Sequence, residues 1–198
     1  MSPGVIDYAG RVARWQPDAV GRLQDAAFTL FDEQGFDRTT VAEIAERAGL
    51  TKRTFFRYFA DKREVLFGGS KGLEDVFVTA IAGAPAAASP LDAMAAALDA
   101  LAELFEERRA GSARRQRIIV ANPELQEREL IKLATLAAAV AGALRARGVK
   151  EPAATLTAEA GVTIFKVSFG RWVEPANRKT LARLQREALA ELRAVAAG

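Results

Sequence analysis

The chain has 198 residues, half of them hydrophobic, and a formal net charge of +3. That length allows one or two domains with a sizeable core, and the charge is too small to argue for a nucleic-acid partner by itself. Cysteine and histidine are both absent, which excludes disulfides, cysteine nucleophiles and thiolate metal sites, argues against a transition-metal site and removes the commonest general base.

Met1 to Ala13 has no clear periodicity and carries Pro3, Gly4 and Gly10. Residues 1–14 read as a loose arm, in which Arg11 and Arg14 either touch DNA backbone or belong to a disordered terminus. A first helix begins around Pro17, a residue suited to the first turn. Val20, Leu23, Ala27, Leu30 and Phe31 form its apolar stripe; Gly35 ends it and Phe36 folds back onto it. Thr40 and Glu43 have the spacing of a capping box, after which Val41, Ile44, Ala45 and Ala48 recur at helical spacing. Gly49 stands where a left-handed residue closes a helix. Leu50 plugs the corner and Thr51 caps a new helix.

That helix, about Lys52 to Phe59, is short. Phe55 and Phe59 lie four apart and face the core together. Lys52, Arg53, Thr54, Arg57 and Tyr58 are left on the other faces. Thr51 to Arg63 holds five basic residues, Lys52, Arg53, Arg57, Lys62 and Arg63, against one acid, Asp61. Basic side chains beside aromatics and hydroxyls, on a short helix after a tight turn, suit insertion into a DNA major groove. A charge cluster alone is more often a solvated face; two caps, the Ala-Gly-Leu corner and the short basic helix together favour the groove. Met1 to Phe67 contains ten basic and ten acidic residues, so any attraction to phosphate is local.

The stretch IAERAGLTKRTFFRYFADKREVL, Ile44 to Leu66, resembles the DNA-binding signature of TetR-type transcriptional regulators. The family pattern runs Ile-Ala, then Ala-Gly-Val, then an aromatic-rich end to the recognition helix, then a lysine opening the fourth helix. The matching residues are Ile44-Ala45, Ala48-Gly49-Leu50, Phe55-Phe56-Arg57-Tyr58-Phe59 and Lys62. The resemblance covers about Asp18 to Leu66. Phe56 stands where the family often has a tyrosine that contacts phosphate, and Tyr58 where it often has histidine. The resemblance implies a homodimer that sets two recognition helices into successive major grooves of a near-palindromic, double-stranded DNA operator. It also implies a small-molecule inducer held in the body, with repression as the commonest mode. On that basis Lys52, Arg53, Thr54 and Arg57 are candidates for base edges. Thr40, Thr51, Tyr58 and Lys62 are candidates for phosphates, and Phe56 for packing against sugar.

Asp61 and Glu64 form a second capping box, opening a fourth helix from Lys62 through Val65, Leu66 and Phe67 into Gly68-Gly69, with Gly72 beyond. Glycine inside a helix costs roughly 1 kcal/mol relative to alanine, so this stretch is either a bend or a hinge between head and body. Leu73, Val76, Phe77 and Ile81 resume the stripe as far as Pro85. Ala84 to Pro90 is a loop, and Ser89-Pro90 start a helix to about Arg108 with Met94, Leu98, Leu101 and Phe105 inside. Arg108, Arg109, Arg114, Arg115 and Arg117 crowd around Gly111, as a solvated corner or a second DNA contact. Asn122-Pro123 cap a long helix to about Arg147, with Leu125, Leu133, Leu136, Val140 and Leu144 inside. Its small residues, Ala134 and Ala137 to Ala139, mean close packing or a cavity. Pro152 starts a helix reaching Trp172; it is apolar over so much of its circumference that it must be buried on more than one face. The last helix, about Lys179 to Val195, carries Leu181, Leu184, Ala188, Leu192 and Val195 on one side.

This final pair either completes the monomer core or, as the resemblance implies, builds a homodimeric four-helix bundle. Phe165, Phe169, Trp172, Leu184 and Leu192 are the interface candidates. Phe77, Ile81, Leu101, Phe105 and Ile119 are candidates for lining the inducer pocket, a lining that suits an apolar or aromatic ligand. The expected fold is all-α: an N-terminal three-helix helix-turn-helix head over residues 1–66, then a C-terminal helical ligand-binding and dimerisation bundle over residues 67–198. Acid pairs such as Glu106-Glu107 point apart on a helix and no catalytic constellation exists, so neither an enzyme nor a cofactor is expected. No apolar stretch is long enough to span a bilayer and the N-terminus lacks a secretory pattern; no membrane partner is expected and the expected location is the cytoplasm.

Overall fold

In a computed structural model of the chain, the residues described are 19–197. The expected arm at residues 1–14, with Arg11 and Arg14, and the helix start at Pro17 lie outside them. The described residues are helical with short connections, and no strand occurs among them, as the helical periodicities predict. The chain divides into two compact units, Met1–Val65 and Leu66–Gly198.

The first unit is built on α1 (Ala19–Gln34), α2 (Val41–Arg47) and α3 (Lys52–Tyr58). Leu23, Ala27, Leu30 and Phe31 of α1 are buried with Ile44 and Ala45 of α2 and Phe55 of α3. Gly35, at φ 85°, turns the chain so that Phe36 returns to Phe31, ring centroids 5.1 Å apart. Val20 does not join the stripe. It is 38% exposed, and Ala19 takes the inner position instead.

The fourth helix starts later than its capping signal predicts. Asp61 Oδ1 does accept from the backbone N–H of Arg63 and Glu64, at 2.8 and 3.2 Å, but it caps only a 3₁₀ turn, Glu64–Phe67. Val65, Leu66 and Phe67 are all buried; three successive buried side chains do not fit one face of an α-helix. Gly68 and Gly69 then interrupt the helix, and α4 runs Ser70–Gly83.

The second unit continues with α5 (Pro90–Phe105), α6 (Arg109–Val120), α7 (Pro123–Ala146), α8 (Ala153–Val173) and α9 (Leu181–Ala197). Ser89 caps α5 through the N–H of Asp92. The arginine-rich stretch around Gly111 is neither a corner nor a loop but α6, with Gly111 in its first turn. Two of its arginines are occupied inside the unit. Arg109 donates to the carbonyls of Trp172, Glu174 and Asn177, at 2.9–3.0 Å. Arg115 donates to the Leu66 carbonyl and Glu129, and lies over the Phe67 ring. Asn122 precedes α7 as expected, but its side chain donates backwards to the Ile118 carbonyl rather than capping α7.

α8 is the most buried helix of this unit, and its aromatics explain why. Phe165, Phe169 and Trp172 surround Phe105 of α5 at ring-centroid distances of 6.0, 5.5 and 6.2 Å. These three, with Leu184, were expected at a dimer interface; all four are buried inside the unit itself, and Leu192 packs partly buried against the same core. The outward residues of α8 include instead Leu156, Thr163, Lys166 and Val167. The residues expected to line a pocket are also packed: Phe77, Ile81, Leu101 and Ile119 are fully buried and Phe105 is half-buried. Ala134, Ala138 and Ala141 of α7 line a surface groove of about 230 Å³ with Arg145, Thr155 and Glu159, so the small residues there serve both close packing and an indentation.

Arg147 closes α4 from a distance. Its guanidinium donates to the carbonyls of Ile81, Ala84 and Pro85, at 2.8–2.9 Å, where a helix leaves unpaired carbonyls and a cation is favoured. Replacing Arg147 by methionine keeps the aliphatic stem and removes these bonds. The expected loss is about 2 kcal/mol, read from the urea midpoint of the helical circular dichroism signal.

Candidate nucleic-acid interface

The sharp turn between α2 and α3 is set by bonds at both ends of α2. The Thr40 hydroxyl accepts from the Glu43 N–H at 3.3 Å, and Glu43 Oε2 accepts from the Thr40 N–H and hydroxyl at 2.8 and 2.7 Å. The Thr40 hydroxyl and backbone, with Gln34, hold the Glu43 carboxyl below its ordinary range. At the other end Gly49, at φ 65°, donates to the Glu46 carbonyl while Leu50 donates to that of Ala45, the paired bonds of a Schellman motif. The Ala48 carbonyl is taken by the guanidinium of Arg22, from α1. A Cβ on Gly49 would stand 2.8 Å from Arg22 Nη2. Glycine is therefore favoured by its backbone angle, and a Cβ there would also shift the Arg22 guanidinium. Arg22 has no local signal in the sequence, because its partner lies 26 residues away.

α3 follows at once. Thr51 caps it by accepting from the Thr54 N–H at 3.1 Å, with the two hydroxyls 3.0 Å apart. Phe55 and Phe59 are buried, ring centroids 5.5 Å apart, and hold the helix down along one edge. Thr51, Lys52, Arg53, Phe56, Arg57 and Tyr58 are exposed, and Thr54 is half-buried. The structure thus brings seven of the nine candidate DNA-contact residues onto one short helix and its cap. Arg57 is engaged with its neighbour: it donates to the Tyr58 hydroxyl at 2.9 Å and lies 4.8 Å over that ring. Lys52 and Arg53 have no ion-pair partner among the described residues. Phe56 is 55% exposed, an apolar ring with only an edge contact to Phe55.

Lys62 is used differently from the expected phosphate contact. Its ammonium donates to the carbonyls of Phe36, Asp37 and Thr39 at 2.7, 3.1 and 3.2 Å and lies 4.2 Å over the Phe36 ring. All three of its protons are committed, so it pins the connection between α1 and α2. Thr40 likewise is occupied as a cap. Arg63 pairs with Asp61, and that guanidinium keeps the Asp61 carboxyl below its usual range.

A capped, exposed, basic second helix, held by two buried phenylalanines after a glycine corner and braced by a third helix, defines a helix-turn-helix unit of the DNA-binding class. Residues 23–67 match the model of the bacterial regulatory proteins of the tetR family. The chain is 41% identical over 75 residues to the transcriptional regulator TcmR of Streptomyces glaucescens, covering 38% of this chain and 33% of that one. It is 31% identical over 128 residues to MftR of Mycobacterium tuberculosis, 61% of each chain. It thus spans less than two thirds of the length of either relative. Among solved structures, a TetR-family regulator from Syntrophomonas wolfei superposes with a TM-score of 0.65 at 16% identity, covering 92% of this chain and 96% of that one. FadR of Bacillus subtilis, solved with stearoyl-CoA, gives 0.59 at 19% identity, covering 87% and 96%; these likenesses bear on the fold. Over residues 23–67 the chain is similar to the DNA-binding part of tetR-family regulatory proteins, and the relatives named here are transcriptional regulators.

Two substitutions test the geometry of this head. Gly49→Ala forces a Cβ into a left-handed residue, at about 1–2 kcal/mol, and displaces Arg22; chemical denaturation should show at least that loss. Lys62→Met should lower stability by about 1.5–3 kcal/mol. If its stability matched the parent's while DNA affinity fell, Lys62 would be a phosphate contact and not a pin.

Proposed function

We propose that this protein is a homodimeric transcriptional repressor, acting in the cytoplasm, that binds a near-palindromic DNA operator through α3 and is released by a small apolar or aromatic molecule. The observation that carries the reading is the state of α3: exposed Lys52 and Arg53 without ion-pair partners, on a helix whose other edge is locked by Phe55 and Phe59. A helix of this kind is about as wide as the major groove. Arg53 or Lys52 reads a guanine edge, the commonest major-groove pairing. Thr51 and Tyr58 lie toward the backbone, where contacts fix register, and Phe56 packs against sugar. Thr54 and Arg57 complete the set, Arg57 by exchanging its contact with Tyr58 for one with DNA.

Two copies spaced by about one helical turn of duplex explain the near-palindrome. The second copy docks on the outward face of α8, around Leu156, Thr163 and Val167, since the larger aromatics of that helix are used within the unit. No helix among the described residues is long and apolar enough to cross a membrane. The apolar interior of the second unit supports an apolar ligand, which acts by favouring one spacing of the two heads over another.

Selection of bound fragments from genomic DNA, followed by titration of the recovered site, tests the reading. Arg53→Ala is expected to weaken the specific complex by about 1–3 kcal/mol and to relax the preference at one base pair. Equal losses on the selected site and on random DNA would remove Arg53 from base reading. Failure of the parent protein to bind any duplex at low salt would overturn the proposal.

A further inference from the structure

The unit from Leu66 onward has an interior nearly free of polar groups. Among the described residues its buried polar side chains are Ser112, Thr157, Ser168 and Gln185, all neutral. Gln185 and Ser168 are each 1% exposed, and none of Gln185 Nε2, Gln185 Oε1 and Ser168 Oγ has a hydrogen-bond partner among the described residues. Buried polar groups are paired in the great majority of cases, and an unpaired one costs its full desolvation. Methionine at position 185 would fill similar volume without that cost. Folding alone does not favour a glutamine there.

The two residues lie at one height. α8 and α9 are neighbours joined by a short loop, hence antiparallel, and Ser168 and Gln185 stand nine residues before and eight after Asn177, within that loop. α5 passes the same level: Arg186, next to Gln185, meets Asp99 at 3.0 Å. Around Ser168 on α8 stand Phe165, Phe169 and Trp172, the three rings that enclose Phe105. Phe105 is only half-buried, so the aromatic cluster reaches toward solvent. Met94 of α5 fills the space over Gly161, against the position a Cβ would take; an unbranched side chain of this kind repacks readily.

We infer that Gln185 and Ser168 are the polar contact of a ligand site inside this unit, which takes a planar aromatic molecule carrying one uncharged hydrogen-bonding group. An amide with a free donor and a free acceptor pairs reciprocally with a second amide or a lactam, and the Ser168 hydroxyl adds a donor or acceptor. The aromatic cluster supplies edge and face contacts to a flat ring. Among the described residues the interior offers no buried ion to match a carboxylate, phosphate or ammonium, whose desolvation would go uncompensated. This site deepens the ligand-released reading above, and rests on it only for what binding does to DNA.

The test uses the full chain and four probes at neutral pH: benzamide, 2-naphthamide, naphthalene and 2-naphthoate. Equilibrium dialysis and thermal melting should show at least one amide binding tenfold or more tighter than naphthalene, with naphthoate weakest. Gln185→Met should reduce that amide to the affinity of the hydrocarbon while leaving naphthalene unchanged, and Ser168→Ala should weaken it several-fold. Without ligand, Gln185→Met should melt no lower than the parent. The inference is overturned if neither amide binds, if amides and naphthalene bind alike, or if ligand-free Gln185→Met melts lower, the mark of an amide satisfied by buried water. Operator titration of the same samples separates the two readings. Amide discrimination without DNA binding keeps this site and sinks the repressor; DNA binding and release without that discrimination does the reverse.

Discussion

The left-handed backbone at Gly49 is the constraint on which the DNA-facing geometry depends. It ends α2, allows Leu50 to bond back to Ala45, and leaves Thr51 as the first residue able to cap α3. Any side chain there would meet a backbone penalty and would have to shift the Arg22 guanidinium. Arg22 carries the constraint back to α1 by taking the Ala48 carbonyl. The exposed cations of α3 are therefore positioned by a corner that contains none of them.

A second pattern runs through both units: basic side chains spent on backbone carbonyls. Arg22, Lys62, Arg109, Arg115 and Arg147 each reach across many residues to carbonyls at helix ends or loops. Helix ends leave such groups unpaired, and a charged donor bonds them more strongly than a neutral one. A surplus of positive charge is consequently a poor guide to nucleic-acid contact in this chain. What distinguishes Lys52 and Arg53 is not their charge but that no such carbonyl or carboxylate has claimed them.

This pattern also decides what was legible in the sequence. The Thr40 box, the Gly49 corner, the Thr51 cap and the Phe55–Phe59 edge rest on residues within five of one another, so the head's architecture reads directly. The carbonyl contacts of Lys62 could not be read, because those partners lie 23–26 residues away. Separations of 49–68 residues likewise hid the carbonyl contacts of the α6 arginines. Phe165, Phe169 and Trp172 misled for another reason. A helix apolar around most of its surface signals burial without saying whether the covering atoms belong to the same chain. Gln185 sat in an amphipathic helix beside charged neighbours, and nothing in its spacing distinguished it from a surface glutamine.

The carbonyl clamps have a consequence for how the molecule meets changes in acidity. They are made by guanidinium groups and one ammonium, and the chain contains no imidazole, the side chain that ordinarily changes charge between about pH 5 and 8. The carboxyls at Glu33, Glu43, Asp61 and Asp92 are all displaced downward by the groups they bond. Stability from a downward-displaced acid is present above its unfolded value and lost only as pH falls through the folded one. The stability that these four carboxyls contribute is therefore retained at neutral pH and lost only in acid.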